Sequence, residues 1–300
     1  MAMIVPPSPK KRDIPKAGKI VWGYRKIYHH LCSRGIQPVL CNSFQKSGTH
    51  LLVNVVASLP QFHHYGRKAY WHYLSRARVN SKKISKTSQV IKALSQCLQG
   101  EIFRGHIAAN TELLEFFRHH SFKHLFIFRD LRDVVVSHFY GMKNRKAIDT
   151  WPSRYFYALQ SDEERLEFLI KGWPNNDVPF QGFPPEVDYP NIGERFRENF
   201  PWLKDQNCLA IRFEDLVNPE TRNHMHTKIA RYLLPDISNG EICDVVRKMH
   251  DEHSAKKSHT FRKGIPGDWR NNFSEKHIAL FKELAGQMLI DLGYEHNFEW

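Results

Sequence analysis

The sequence is short of cysteine, of acidic side chains relative to basic ones, and of long apolar runs. Its five cysteines, Cys32, Cys41, Cys97, Cys208 and Cys243, are scattered, odd in number and without a C-x-x-C pair. That spacing offers neither a disulfide framework nor a zinc module, and the thiols read as reduced and structural. No segment approaches the roughly 18 apolar residues of a membrane span, and the first residues, MAMIVPPSPKKRDIPKAGK, have prolines and charges where a secretory signal needs an unbroken apolar stretch. The expectation is a soluble, cytoplasmic chain. Asp and Glu total 31 against 44 Lys and Arg, a net charge of +13 that favours an anionic partner, whether nucleotide, polyanion, nucleic acid or membrane surface. Histidine is plentiful, with pairs such as His29-His30, His63-His64 and His119-His120. Adjacent side chains diverge on a helix or strand, so no metal site is expected from them.

What the chain does have is the makings of a core: 41% of it is hydrophobic over 300 residues, enough for one substantial domain. Residues 1–18, with Lys10, Lys11 and Arg12, read as a flexible basic tail, and 19–300 as the domain. Short β-rich runs alternate with helical spacing. IQPVLCNSF is followed by THLLVNVVASL, where Leu52, Val55, Val56 and Leu59 repeat at i, i+3, i+4, i+7. EIFRGH (101–106) precedes the helix TELLEFFRHH, KHLFIFRD (123–130) precedes LRDVVVSHFYGMK, and CLAIRFEDL (208–216) reads as a further strand before a helix. The alternation predicts an α/β fold, a single P-loop-like domain whose central, mainly parallel sheet is flanked by helices. Between about 143 and 200 the pattern dissolves into aromatic and Pro/Gly-rich sequence, expected to be an irregular insertion and a candidate acceptor lid. Its aromatics Trp151, Tyr155, Phe156 and Trp173 suit a pocket lining and a core equally.

Three loops carry candidate chemistry. In QKSGTH, Lys46 precedes Gly48, the reverse of the Walker order in which Lys follows Gly. The strand-to-helix turn still offers the amides of 47–50, the Thr49 hydroxyl and the Lys46 charge to an anion; taken alone it is equally an ordinary helix cap. Arg129 ends the strand LFIFRD, with Ser137 eight residues on. Both can face one anion above the sheet edge, or Arg129 can simply pair with Asp130 or Asp133. In FRKGIPGDW, Arg262 and Lys263 precede Gly264, so side-chain and backbone donors converge on one phosphate.

With these three motifs in register from about residue 38 onward, the sequence resembles the soluble sulfotransferases that use 3′-phosphoadenosine 5′-phosphosulfate (PAPS). The resemblance implies that Lys46, Ser47, Gly48 and Thr49 hold the 5′-phosphosulfate, that Arg129, Ser137, Arg262, Lys263 and Gly264 hold the 3′-phosphate, and that His106 in FRGH is the catalytic base. It implies Lys46 as the group stabilising the departing nucleotide oxygen, adenosine 3′,5′-bisphosphate as product, no metal, and a hydroxyl or amine of a small molecule as acceptor. The expected partner is that acceptor, with no nucleic acid or membrane, in a monomer or homodimer. Several positions depart from the family pattern. His50 and Leu51 follow Thr49 where a hydroxyl residue and a tryptophan are common, Phe213 resembles an aromatic near the adenine, and Arg104 replaces a common catalytic-site lysine. The family's short dimerisation pattern is not evident in RNNFSEKHIALF. A P-loop kinase, the first alternative, needs its Lys after the Gly; a polyanion-binding protein, the second, needs its cations along a face rather than at strand ends.

Overall fold

The computed structural model describes residues 33–71, 87–144, 151–173, 189–252 and 263–300. Arg262, the basic tail, and parts of the 143–200 segment lie outside them. Among the described residues the chain runs β1 (Val39–Ser43), α1 (Thr49–Ala57), β2 (Lys68–Trp71), α2 (Thr87–Ser95), β3 (Ile102–Ile107), α3 (Thr111–His119), β4 (Lys123–Phe128) and α4 (Leu131–Lys143). It continues through α5 (Trp151–Ala158), α6 (Asp162–Lys171), α7 (Ile192–Arg197), α8 (Pro201–Lys204), β5 (Cys208–Arg212), α9 (Phe213–Val217), α10 (Pro219–Leu233), α11 (Asn239–Glu252) and α12 (Glu275–Asp291).

The strands form one sheet in the order β2-β3-β1-β4-β5, parallel at every pairing. Alternation along each strand sorts the core into two layers. Val39, Cys41, Ile102, Leu125 and Ile127 pack with α1, α10 and α11, burying Leu52, Val55, Val56, Ile229 and Met249. Leu40, Phe103, Phe126 and Phe128 pack on the other face with Leu113, Phe116, Val134, Phe281 and Leu289. Each such side chain, removed from water, contributes roughly 1.5–3 kcal/mol. The sequence-expected face of α1 is fully buried: Leu52, Val55, Val56 and Leu59 are each 0% exposed.

The order also creates a switch point. The chain leaves β1 toward β2 on one side and leaves β4 toward β5 on the other, so a crevice opens between the carboxyl ends of β1 and β4. One element is additional to the sequence reading, and one expectation needs correction. The edge strand β2, four residues long, was not anticipated. The described parts of the segment 143–200, expected to be irregular, are helical at α5, α6 and α7. Pro152 sits in the first turn of α5, where its missing N–H costs nothing, and Ser161 and Glu164 close a capping box at the start of α6. Phe156 and Trp173 are 1% and 5% exposed and belong to the core; Tyr155 packs on both Trp173 and Phe168.

Candidate active site

The loop between β1 and α1 is built by two left-handed residues, Lys46 at φ 66° and Gly48 at φ 103°. The amide of Ser47 donates to the Phe44 carbonyl at 3.3 Å, tightening the turn. A Cβ on Gly48 would fall 2.7 Å from Phe213 Cδ2, so only glycine lets the loop rest on that ring. Ser47 is 0% exposed, and its Oγ has no hydrogen-bond partner, which leaves a buried hydroxyl in the turn in need of a ligand.

Arg104 and His106 lie two and four residues beyond Ile102 on β3, so both side chains face the α1 side, toward the loop. His106 Nδ1 lies 2.9 Å from Ser43 Oγ and 3.2 Å from the Ser43 carbonyl oxygen. Burial lowers the His106 pKa to about 4; the Ser43 carbonyl opposes this, while Arg104, His50 and Lys46 add to it. The imidazole is therefore neutral at pH 7, the form that accepts a proton. Arg104 Nη1 donates to His50 Nδ1 at 3.1 Å, which brings His50, the residue out of keeping with the motif, into the same cluster.

Across the crevice, Arg129 follows β4 and is 6% exposed. Its Nη2 donates to Asp133 Oδ2 and to the Ile265 carbonyl, each at 3.1 Å, and its guanidinium lies over the Phe213 ring, 4.5 Å from the centroid. The ion pair with Asp133 anticipated as a rival to anion binding is therefore present. Asp133 also accepts from the amides of Gly267 at 2.8 Å and Trp269 at 3.0 Å. Burial raises its pKa, against the opposing pull of Arg129 and those amides. The carboxylate thus ties the loop carrying Lys263 and Gly264 to the start of α4, and Lys263 Nζ reaches Asp268 Oδ1 at 3.1 Å.

Asp133, Ser137 and Gly141 recur every four residues along one face of α4. A Cβ on Gly141 would fall 2.8 Å from Lys46 Nζ, so that face borders the lysine. Ser137 is half-buried on it. His138 is drawn into the same field: burial lowers its pKa to about 3, with Arg195 and Lys46 contributing. Of the residues expected from sequence, Lys46, Ser47, Gly48, Thr49, His50, Arg104 and His106 form one cluster, and Arg129, Phe213, Lys263 and Gly264 a second, with Phe213 in contact with both. Sequence reasoning passed over Ser43, His138 and Gly141, and it named Asp133 only as a partner for Arg129, not as the acceptor of the Gly267 and Trp269 amides.

One group elsewhere, Glu163, Glu167 and His277, brings potential metal donors within 4.8 Å of one another. His277 already engages Ser274 N through Nδ1 and the Glu163 carbonyl through Nε2, and Glu167 pairs with Lys276. Among the described residues, no helix is long and apolar enough to cross a membrane.

The profile of the family described as "sulfotransferase domain" matches residues 37–293. Human sulfotransferase 2A1 is similar at 23% identity over 286 residues, 88% of each chain. Among solved structures, mouse sulfotransferase SULT7A1 complexed with PAP aligns with a TM-score of 0.55 at 20% identity, covering 86% of this chain and 87% of that one. Retinol dehydratase in complex with androsterone and inactive cofactor PAP aligns with a TM-score of 0.52 at 16% identity, over 89% and 85%.

Proposed function

From the premise that the chain belongs to the sulfotransferase family, we propose that it transfers the sulfuryl group of PAPS to a hydroxyl or amine of a small-molecule acceptor in the cytoplasm. The observation that carries this reading is the convergence, at the carboxyl ends of adjacent strands, of an anion-suited loop and a neutral histidine. The residues present fit the nucleotide: the Ser47 hydroxyl is buried without a partner, and Gly48 keeps its backbone bare against Phe213.

In this reading PAPS supplies an activated sulfuryl group whose leaving oxygen gains charge as it departs. The loop amides of 47–50 and the hydroxyls of Ser47 and Thr49 bind the phosphosulfate at the start of α1, where the helix dipole favours anions. Lys46 stabilises the leaving oxygen. His106 takes the acceptor's proton on Nε2 as the acceptor attacks. Arg104 adds positive charge, and the His50 ring a further donor, beside the sulfuryl oxygens. Arg129, Ser137, Lys263 and Gly264, with Arg262, bind the 3′-phosphate, and Phe213 buttresses both halves beneath the nucleotide. The segment 143–200 is proposed to contribute to covering the acceptor.

Calorimetric titration with adenosine 3′,5′-bisphosphate, followed by an acceptor screen with radiolabelled PAPS, tests the proposal. Saturable binding and label transfer are expected, with Lys46→Ala lowering turnover by about 10²–10³. A chain that does not bind the bisphosphate at high micromolar concentration overturns it.

A further inference from the structure

His106 and the donor loop stand on different strands, yet three side chains make one hydrogen-bonded line between them. Ser43, the last residue of β1, is 1% exposed. Its Oγ lies 2.5 Å from Thr49 Oγ1 and 2.9 Å from His106 Nδ1, and its carbonyl oxygen lies 3.2 Å from the same nitrogen. A carbonyl oxygen only accepts, so Nδ1 carries the ring hydrogen and Nε2 the lone pair. Ser43 Oγ, facing a nitrogen that already bears a hydrogen, accepts there and donates its own proton to Thr49. Thr49 Oγ1 in turn directs its proton away from Ser43, toward the loop. Every donor in the line points one way, from the imidazole to the place where the loop meets an anion.

The surrounding frame holds this line in register. Beyond the last pairing of β1 with β3, Cys41 with Arg104, the Asn42 side chain takes over the ladder: its Nδ2 donates to the Ile107 carbonyl at 2.9 Å, and its Oδ1 accepts from the Ile107 amide at 2.8 Å. Trp202 Nε1 donates to the same carbonyl at 2.9 Å. Gly105 leaves no room for a side chain, since a Cβ there would meet Ile107 Cδ1 at 2.9 Å. The end of β3 is thereby fixed with His106 against Ser43.

We infer that Ser43 is a positioning residue for the transfer reaction, holding His106 in the tautomer whose Nε2 is the base and linking the imidazolium formed during transfer, through Thr49, to the donor's 5′-phosphate. The inference rests on the proposed role of His106 as base. No net proton travels along the line. As Nε2 gains the acceptor's proton, the Nδ1–H bond to Ser43 becomes charge-assisted, and each successive hydroxyl is polarised toward the phosphate. Donor and base thereby reinforce one another.

Nitrogen-15 NMR of the full chain, histidine-labelled, at neutral pH and with or without adenosine 3′,5′-bisphosphate, reads the line directly. In the wild type the His106 ring hydrogen is expected on Nδ1 and protected from exchange. Ser43→Ala is expected to speed its exchange about tenfold, the effect of losing a hydrogen bond worth about 1.4 kcal/mol, and Ser43→Thr to restore protection. Thr49→Val, in which Ser43 loses its acceptor, is expected to loosen the same proton and serves where Ser43→Ala does not fold. With an acceptor from the screen, Ser43→Ala is expected to lower kcat about tenfold with the donor KM little changed. A wild-type hydrogen on Nε2, or wild-type exchange in the alanine and valine variants, overturns the inference while leaving sulfuryl transfer standing. Failure of the bisphosphate to bind overturns the transfer reading, and the ring hydrogen of the free protein still decides whether the line exists.

Discussion

Gly141 stands inside α4, where alanine would ordinarily stabilise the helix by about 1 kcal/mol. Here a Cβ would meet the ammonium of Lys46 at 2.8 Å, the far end of a flexible side chain that can move. Gly141→Ala is therefore expected to leave the melting temperature unchanged or raised while lowering turnover at least tenfold; equal turnover would mean that the position of Lys46 is not shared with the reaction. His106→Ala should reduce transfer by about 10²–10⁴. Because burial holds its pKa near 4 rather than 6.5, the acid limb of kcat/KM in the wild type is expected well below pH 6, since neutral imidazole persists until then; a limb at 6.5 would exclude His106 as the group reported. Lys46, Gly48 and Arg129 were legible in the sequence because each belongs to a loop motif with a physical signature. Ser43 and Gly141 were not. Their roles depend on which side chain lies opposite them in space, and a serine that ends a strand or a glycine inside a helix looks the same in sequence whether it packs, turns or positions a catalytic group.

The first turn of α4 acts as a junction between elements. Asp133 receives the amides of Gly267 and Trp269 and the guanidinium of Arg129. Next to it Arg132, 2% exposed, donates to Asp130, pairs with Glu295 at 2.6 Å, and sits in the corner of the perpendicular rings of Trp269 and Trp300, 4.1 and 4.5 Å from their centroids. Asp133→Asn would turn an amide NH₂ toward one of the two backbone donors. It is expected to weaken bisphosphate affinity about tenfold or more through displacement of the 263–269 loop, a change calorimetry would register. Arg132→Met is expected to cost about 3–5 kcal/mol in denaturant unfolding, because Asp130 would be left buried, and Glu295 half-buried, without their cation. The alternating strands and helices were readable in the sequence because both faces of the sheet are covered and each strand is an apolar run. Strand β2 escaped because KAYW is only four residues long at an edge, and α5 because its aromatics are spread around the helix rather than along one stripe.

For the molecule as a whole, buried histidines set how stability responds to acid. His124 is 0% exposed, stacked on Phe117 with Trp202 edge-on, and burial lowers its pKa from 6.5 to about 3. Between those values the unfolded chain binds the proton and the folded chain does not. The stabilisation is thus complete above pH 6.5 and is lost as the pH falls toward 3, by about 2 kcal/mol at pH 5. His106 and His138 act in the same direction. Unfolding at pH 5 to 6 should therefore take up protons, and His124→Phe should flatten the dependence of melting temperature on pH. The turn that holds Lys46 carries a different consequence. A side-chain-bearing residue at φ 66° costs roughly 1–2 kcal/mol that glycine would avoid. Lys46→Gly is thus expected to yield a protein that expresses well, melts slightly higher and transfers almost nothing. A selection for thermal resistance alone would drift toward that silent variant, so directed evolution of this scaffold has to score catalysis in every round.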